Sequence, residues 1–211
     1  METKDIFSLG LGLFGSTLSI LTLYLTQFRR PKIKVRCGPN VHFWHAPPTM
    51  TGFYLPVIFQ NRSPARGFIY EAFLVIKDPT GLHFALKWTK SVTIDKDMNY
   101  AETGPSKPFN IDGYVAQADV FMFEWYDIPN ASITFGEGTY EVTLCVWTTD
   151  RQRPDVRIHE KFEITPSLRD IMREKRRTSD NTTRFIPLQG HALLAFSTGF
   201  EEIDFSKVPR V

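Results

Sequence analysis

The chain has 211 residues, 42% of them hydrophobic, with 25 lysines and arginines against 23 aspartates and glutamates. That length suits one globular domain with a full hydrophobic core plus an appended segment. A formal charge of +2, much of it crowded into one short stretch, gives no support for a nucleic-acid partner.

After a five-residue tail, residues 1–5, no charged side chain occurs from Ile6 to Phe28, and Arg29, Arg30, Lys32, Lys34 and Arg36 follow at once. As a helix this run is about 34 Å long, enough to cross a hydrocarbon core of about 30 Å. A cleaved secretory signal fits poorly, because Glu2 and Asp5 offset Lys4 and no small-residue cleavage site precedes Arg29. A buried helix of a soluble fold would need a polar face, and six turns offer none with charge. The expectation is a transmembrane helix at 6–28. Basic residues flanking a span stay on the cytoplasmic side, so the rest of the chain is expected in the cytoplasm, with the N-terminus outside the cell membrane. The basic juxtamembrane segment 29–36 is also placed to touch anionic headgroups of the bilayer.

Within the span, Ser8, Gly12, Gly15, Ser19, Thr22 and Thr26 recur at spacings of four, three, four, three and four. Small and hydroxylated residues let helices approach closely in lipid, and a 3.5-residue repeat keeps them on one seam. The pattern predicts a homo-oligomer held through this helix. Its alternative is the ordinary abundance of Gly, Ser and Thr in such helices; Ser16 and Thr17 lie off the seam.

Residues 33–165 read as strands separated by turn chemistry. Lys32–Cys37 alternates basic and apolar residues, and Phe53–Phe59 is an apolar run ending at Asn61-Arg62-Ser63-Pro64. Gly67–Lys77 and Leu82–Thr89 flank Asp78-Pro79-Thr80-Gly81 and predict a hairpin, with Ser91–Ile94 extending the sheet. Asp95–Pro108 is polar and predicts a loop, and Phe109–Ile111 a short strand. Gly113–Trp125 lacks strict alternation, so strand and helix both remain open there. Gly138–Thr149 alternates clearly, and Asp150–Pro154 turns it into Val156–Ile164 as a second hairpin. Many short strands with Pro and Gly punctuation predict a mainly β body, an antiparallel immunoglobulin-like β-sandwich.

Residues 166–183 change character. Ser167-Leu168-Arg169-Asp170 is placed to cap a short basic helix, and Thr178–Thr183 reads as a flexible linker. The segment 184–211 carries too many apolar groups for a solvated tail, and is expected to dock on its own or a neighbouring domain.

Motifs that would carry chemistry are scarce. No nucleophile elbow, phosphate loop or H-E-x-x-H motif occurs, and Gly10-Leu11-Gly12-Leu13-Phe14-Gly15 matches the dinucleotide fingerprint only inside the apolar helix. No catalytic residue, metal or cofactor is therefore assigned. Cys37 and Cys145 are expected as buried thiols, although Trp88 between them invites comparison with an inter-sheet disulfide. His42 and His45 on a strand point to opposite faces, which suits hydrogen bonding better than one metal. The sequons at Asn61, Asn130 and Asn181 matter only for a lumenal body. Phe43 and Trp44, before Pro47-Pro48, and Trp125 and Tyr126 read as aromatic clusters on binding loops.

The resulting expectation is a membrane-anchored, non-enzymatic binding or scaffold module whose β body recognises a protein or small ligand. Two alternatives share its features. One is an oligomeric effector that perturbs or opens the bilayer when ligand binds, and the other an accessory subunit of a larger membrane complex.

Overall fold

The structure, a computed structural model, describes residues 3–25, 30–46, 50–96, 99–127, 133–178, 180 and 182–189. Helix α1 spans Thr3–Leu23 and is followed by twelve strands and a second helix. In chain order these are β1 (Ile33–Cys37), β2 (Asn40–Ala46), β3 (Met50–Asn61), β4 (Gly67–Ile69), β5 (Glu71–Lys77) and β6 (His83–Ile94). Then come β7 (Tyr100–Pro105), β8 (Phe109–Ile111), β9 (Ala116–Tyr126), β10 (Gly138–Trp147), β11 (Val156–Ile164), α2 (Pro166–Thr178) and β12 (Arg184–Pro187).

Ten strands form one antiparallel sheet in the order β11-β10-β5-β6-β9-β3-β2-β12, with β1 also paired to β3 and β7 to β6. The sheet curls into a nearly closed barrel. Two long strands make this possible: β6 pairs with β5 through His83–Lys87 and with β9 through Trp88–Val92, shifting register between Trp88 and Lys90. A bulge of this kind bends a strand and lets it turn a corner of the sheet. Likewise β3 carries β2 along its first half and β1 along its second, with β9 on its other edge throughout. Near the remaining gap, the Gln189 amide donates to the Lys161 carbonyl, joining the end of β12 to β11. A mainly β antiparallel body is thus present, but the continuous ladder through β6 does not identify an immunoglobulin-like module.

The interior follows from period-two alternation. Tyr140, Val142, Leu144 and Val146 of β10 point inward, as the sequence pattern requires, against Leu74 and Ile76 of β5. Across the barrel, Phe53, Phe59, Phe121, Phe123 and Trp125 fill the space, with Trp88 stacked on Phe121 at 4.2 Å between ring centroids. The predicted hairpin between β5 and β6 forms as expected: Asp78 Oδ1 accepts from the Thr80 and Leu82 amides, and Gly81 adopts φ +93°. The β10–β11 hairpin forms too, with Asp155 accepting from the Thr148 and Thr149 amides.

Several expectations change. The supposed loop Asp95–Pro108 contains β7, a mostly exposed strand whose polar composition hides it in the sequence. The segment Gly113–Trp125 holds a strand from Ala116 onward, because β9 lies between β3 and β6 and is buried on both faces at Phe121, Met122 and Phe123. Helix α2 is capped by Thr165, whose Oγ1 accepts from the Leu168 amide, and not by Ser167; Pro166 then occupies the first helical position. Of the expected flexible linker, Asp180 and Thr182 are held by the buried Lys175 ammonium. The apolar C-terminal segment docks through β12 on β2, and its residues from 190 onward lie outside the described ones.

The expected span at 6–28 coincides with α1 over Ile6–Leu23, but it is not borne out as a membrane crossing. The helix has 21 residues, giving a length of about 32 Å, and its described side chains from Phe7 to Tyr24 are all exposed. Among the described residues no helix is long and apolar enough to cross a membrane. The charge-free run continues past them, since residues 26–29 lie outside.

Candidate functional site

Strand direction sorts the barrel into two ends. Ile33, Asn61, Ala116 and Val156 lie at the end where α1 joins, and Ala46, Met50, Tyr126, Lys77, Gly138 and Ile164 at the other. Twelve residues of β3 separate the ends by about 35 Å.

At the far end a cavity of about 460 Å³ opens between the β5–β6 turn, the segment before β10 and α2. Phe135, Ile133 and the buried Met172 give it an apolar floor, while His45, Tyr140, Arg173 and Arg176 supply polar groups. Tyr140 donates to the Gly136 carbonyl and stacks on Phe162. Arg176 is fixed by an ion pair with the nearly buried Asp127 carboxylate and a bond to the Ile133 carbonyl, 3.2 Å. Arg169 reaches Glu137 at 3.1 Å, so α2 is clamped across the mouth by two arginines. Arg173 lies exposed at the rim. Burial, and then the nearby Arg176 charge, hold His45 down to a pKa of about 4, so it is neutral near pH 7. The lining has no nucleophile paired with a base. Among the described residues no group of three or more His, Cys, Asp or Glu is placed to hold a metal.

The aromatic clusters expected on loops lie in strands. Phe43 and Trp125 are in the core. Trp44 is on the outer face of β2, laid over Gly52 and stacked on Tyr54, which stacks in turn on Tyr100. Only Tyr126 among the four is exposed. The pair Pro47-Pro48 suggests a loop in sequence, yet β2 has both faces covered and is a sheet strand. His42 and His45 do face opposite sides: Tyr100 Oη lies 2.8 Å from His42 Nδ1, and Thr51 Oγ1 3.3 Å from His45 Nδ1. Both cysteines are free, Cys145 buried and Cys37 half-buried, and burial pushes each thiol up to about 12.

At the near end, Ser8, Gly12, Gly15, Ser19 and Thr22 lie exposed on α1, with open space beside the glycines; Thr26 is outside the described residues. Ser19 Oγ donates to the Gly15 carbonyl and Thr22 Oγ1 to the Leu18 carbonyl. The helix therefore satisfies these hydroxyl protons itself, so close approach at Gly12 and Gly15 is what the seam offers a neighbour. Arg29 is outside the described residues, while Arg30, Lys32 and Arg36 are exposed. Lys34 and Arg36 share the outward face of β1, opposite Gln60 and Ile58. The Arg36 charge, with burial and Arg62 contributing, holds the Lys34 pKa below its ordinary value. Arg62 is not legible in the sequence as part of this cluster, because only the pairing of β1 with β3 brings the residue after Asn61 beside Lys32.

No family model matches the chain, and no curated protein matches it. Among solved structures, Spo0M, a sporulation control protein from Bacillus subtilis, is similar at 13% identity and a TM-score of 0.28. The match covers 71% of this chain and 56% of that one, so the chain spans little more than half the length of Spo0M. At that TM-score the likeness extends to neither fold nor function.

Proposed function

We propose that this chain is a single-pass, membrane-anchored and self-associating binding or scaffold module. The run Ile6–Phe28 crosses the bilayer, the β body sits on the cytoplasmic side, and the far mouth of the barrel takes a protein or small ligand. The observation that carries this reading is α1 itself. Leucine, isoleucine and phenylalanine side chains stand exposed over all of its circumference except the Ser/Gly/Thr seam, and so broad an apolar surface is stable only when something other than water covers it. The basic face of β1, whose Lys34 and Arg36 form no ion pair among the described residues, supports lipid as that surrounding.

With α1 in the bilayer, the cavity lies about 35 Å from the membrane-side end of the barrel, open to the aqueous phase, where α2 and its arginine clamps can sense an occupant. Self-association is tested by G12L/G15L in full-length protein reconstituted in lipid nanodiscs. Wild type is expected to give a defined oligomer and the variant a monomer with unchanged barrel; an unchanged subunit count refutes the seam. Dye leakage from vesicles, lost in the same variant, selects the membrane-perturbing effector instead. Recovery of a fixed stoichiometric partner selects the accessory subunit.

A further inference from the structure

Most large apolar side chains exposed on the body away from the far mouth gather at the end where α1 joins. Tyr114 is 73% exposed, Val115 44%, and Phe68 and Tyr70 41% each. Phe68 and Tyr70 pack on one another at 5.9 Å. Gly67 abuts Pro31 and Ile33, which sets β4 beside the junction of α1 and β1.

Tyr114 has φ +60°, a left-handed conformation rarely adopted by a bulky residue. The surrounding contacts hold it there. Its amide donates to the Ser63 carbonyl, and Gly113 lies so close to the Pro64 backbone that a Cβ would sit 2.3 Å from the Pro64 oxygen. Ser63 is tied in turn to the junction, accepting from the Lys32 amide on Oγ, while the Arg62 amide donates to the Lys32 carbonyl. One hydrogen-bonded unit thus carries the helix exit, Arg62 and an outward tyrosine. Backbone strain that presents an exposed aromatic group is an outlier that calls for a function.

Charge at this end is also one-sided. Among the described residues Lys32, Lys34, Arg36 and Arg62 form no ion pair. At the same end Asp112 pairs with Arg66, and Asp155 accepts from the Thr148 and Thr149 amides. Aromatic side chains beside basic ones suit the headgroup layer, where a ring rests at the apolar boundary and a cation meets phosphate.

We propose that Tyr114, Val115, Phe68 and Tyr70, with Lys32, Lys34, Arg36 and Arg62, form a collar that seats this end of the barrel in the headgroup layer of an anionic membrane. The collar rests on the reading of α1 as a bilayer anchor, and fixes which way the body faces: the cavity points away from the lipid.

The test uses full-length protein in nanodiscs of phosphatidylcholine with and without phosphatidylserine, with one tryptophan added at a time to the four native ones, whose emission in the unaltered chain is subtracted: Y114W, F68W, Y126W at the far mouth, or L18W in α1. With brominated lipid, L18W, Y114W and F68W emission is expected to be quenched, and Y114W shielded from iodide. Y126W should remain unquenched and iodide-accessible. Quenching at the collar should be stronger with phosphatidylserine, and K34E/R36E/R62E should abolish that gain. If L18W is quenched while Y114W and F68W stay iodide-accessible and unquenched, the collar is overturned and the anchor stands. If L18W is unquenched as well, the anchor itself fails. Shielding of Y114W from iodide without quenching by brominated lipid means that protein covers it, which also overturns the collar.

Discussion

Asn61 is the keystone of the end where α1 joins the barrel, and its replacement by alanine tests how that end is built. The residue is 1% exposed. Its Nδ2 donates to the Ala65 carbonyl at 2.7 Å and to the Ile111 carbonyl at 3.1 Å. Its Oδ1 accepts from the Ser63 amide at 3.1 Å and from Ser63 Oγ at 2.8 Å. Alanine removes all four bonds and takes the side-chain partner from the buried Ile111 carbonyl and the Ser63 amide, while the Ala65 carbonyl keeps Ser63 Oγ at 3.3 Å. At about 1 kcal/mol for each net bond, and more for a group left buried without a partner, Asn61→Ala is expected to cost about 3–5 kcal/mol. Asn61→Asp should be no milder, since it keeps the acceptor but sets a carboxylate oxygen against two carbonyls. The assay is urea unfolding of the full-length chain in mild detergent, followed by the emission of the four buried tryptophans, Trp44, Trp88, Trp125 and Trp147. A loss below about 1 kcal/mol for Asn61→Ala would show that these bonds do not hold the loop. The same burial leaves the Asn61 amide nitrogen occupied by two carbonyls, so the sequon it heads is not accessible in the folded chain.

Two further outcomes follow from packing and charge. His45 has a folded pKa of about 4 against about 6.5 when unfolded, so the unfolded chain takes up the proton first. Stability is therefore full above the unfolded value and falls as pH drops from about 6.5 toward 4, by at most about 1.4 kcal/mol per pH unit for this group. Burial lowers His42 and His159 in the same direction. His45→Gln should flatten part of that slope in urea midpoints between pH 7 and 5, and an identical slope in the variant removes His45 from the explanation. Gly52→Ala would put a Cβ 2.1 Å from Trp44 Cε2; displacing that indole from its stack is expected to cost about 1–3 kcal/mol of overpacking, read by the same unfolding assay, and a neutral substitution would contradict the contact.

Residues with a local signature are legible in the sequence alone. Asp78 with Gly81, and the strict alternation from Tyr140 to Val146, state their turn and strand outright, because the determining contacts lie within a few positions. Segments defined by neighbours distant in sequence are not. Trp44 finds its place only by lying over Gly52, and β9 hides its period because Met122 and Val120 on its outer face are covered by Trp44, Val92 and Tyr54. Polar β7 shows no apolar stripe, since it borrows its order from the ladder with β6. The cavity draws His45, Tyr140 and Met172 from three remote elements, and no spacing along the chain joins them. The basic stripe on β1 is plain in the sequence, but Arg62 and Tyr114 join it through hydrogen bonds to Lys32 and Ser63.

The two ends of the barrel divide the work in this reading, one meeting lipid and the other facing solution. Such a division needs a rigid connection, and β3 supplies it. The strand runs from Met50 beside the mouth to Asn61 at the helix junction, hydrogen-bonded along both edges.

Extraction of the full-length chain from isolated membranes tests the anchor most directly. If hydrocarbon surrounds the opening helix, the protein stays in the pellet after ultracentrifugation in high salt and in alkaline carbonate, and is released only by detergent. Release by salt or carbonate, or recovery in the supernatant without either, would contradict it.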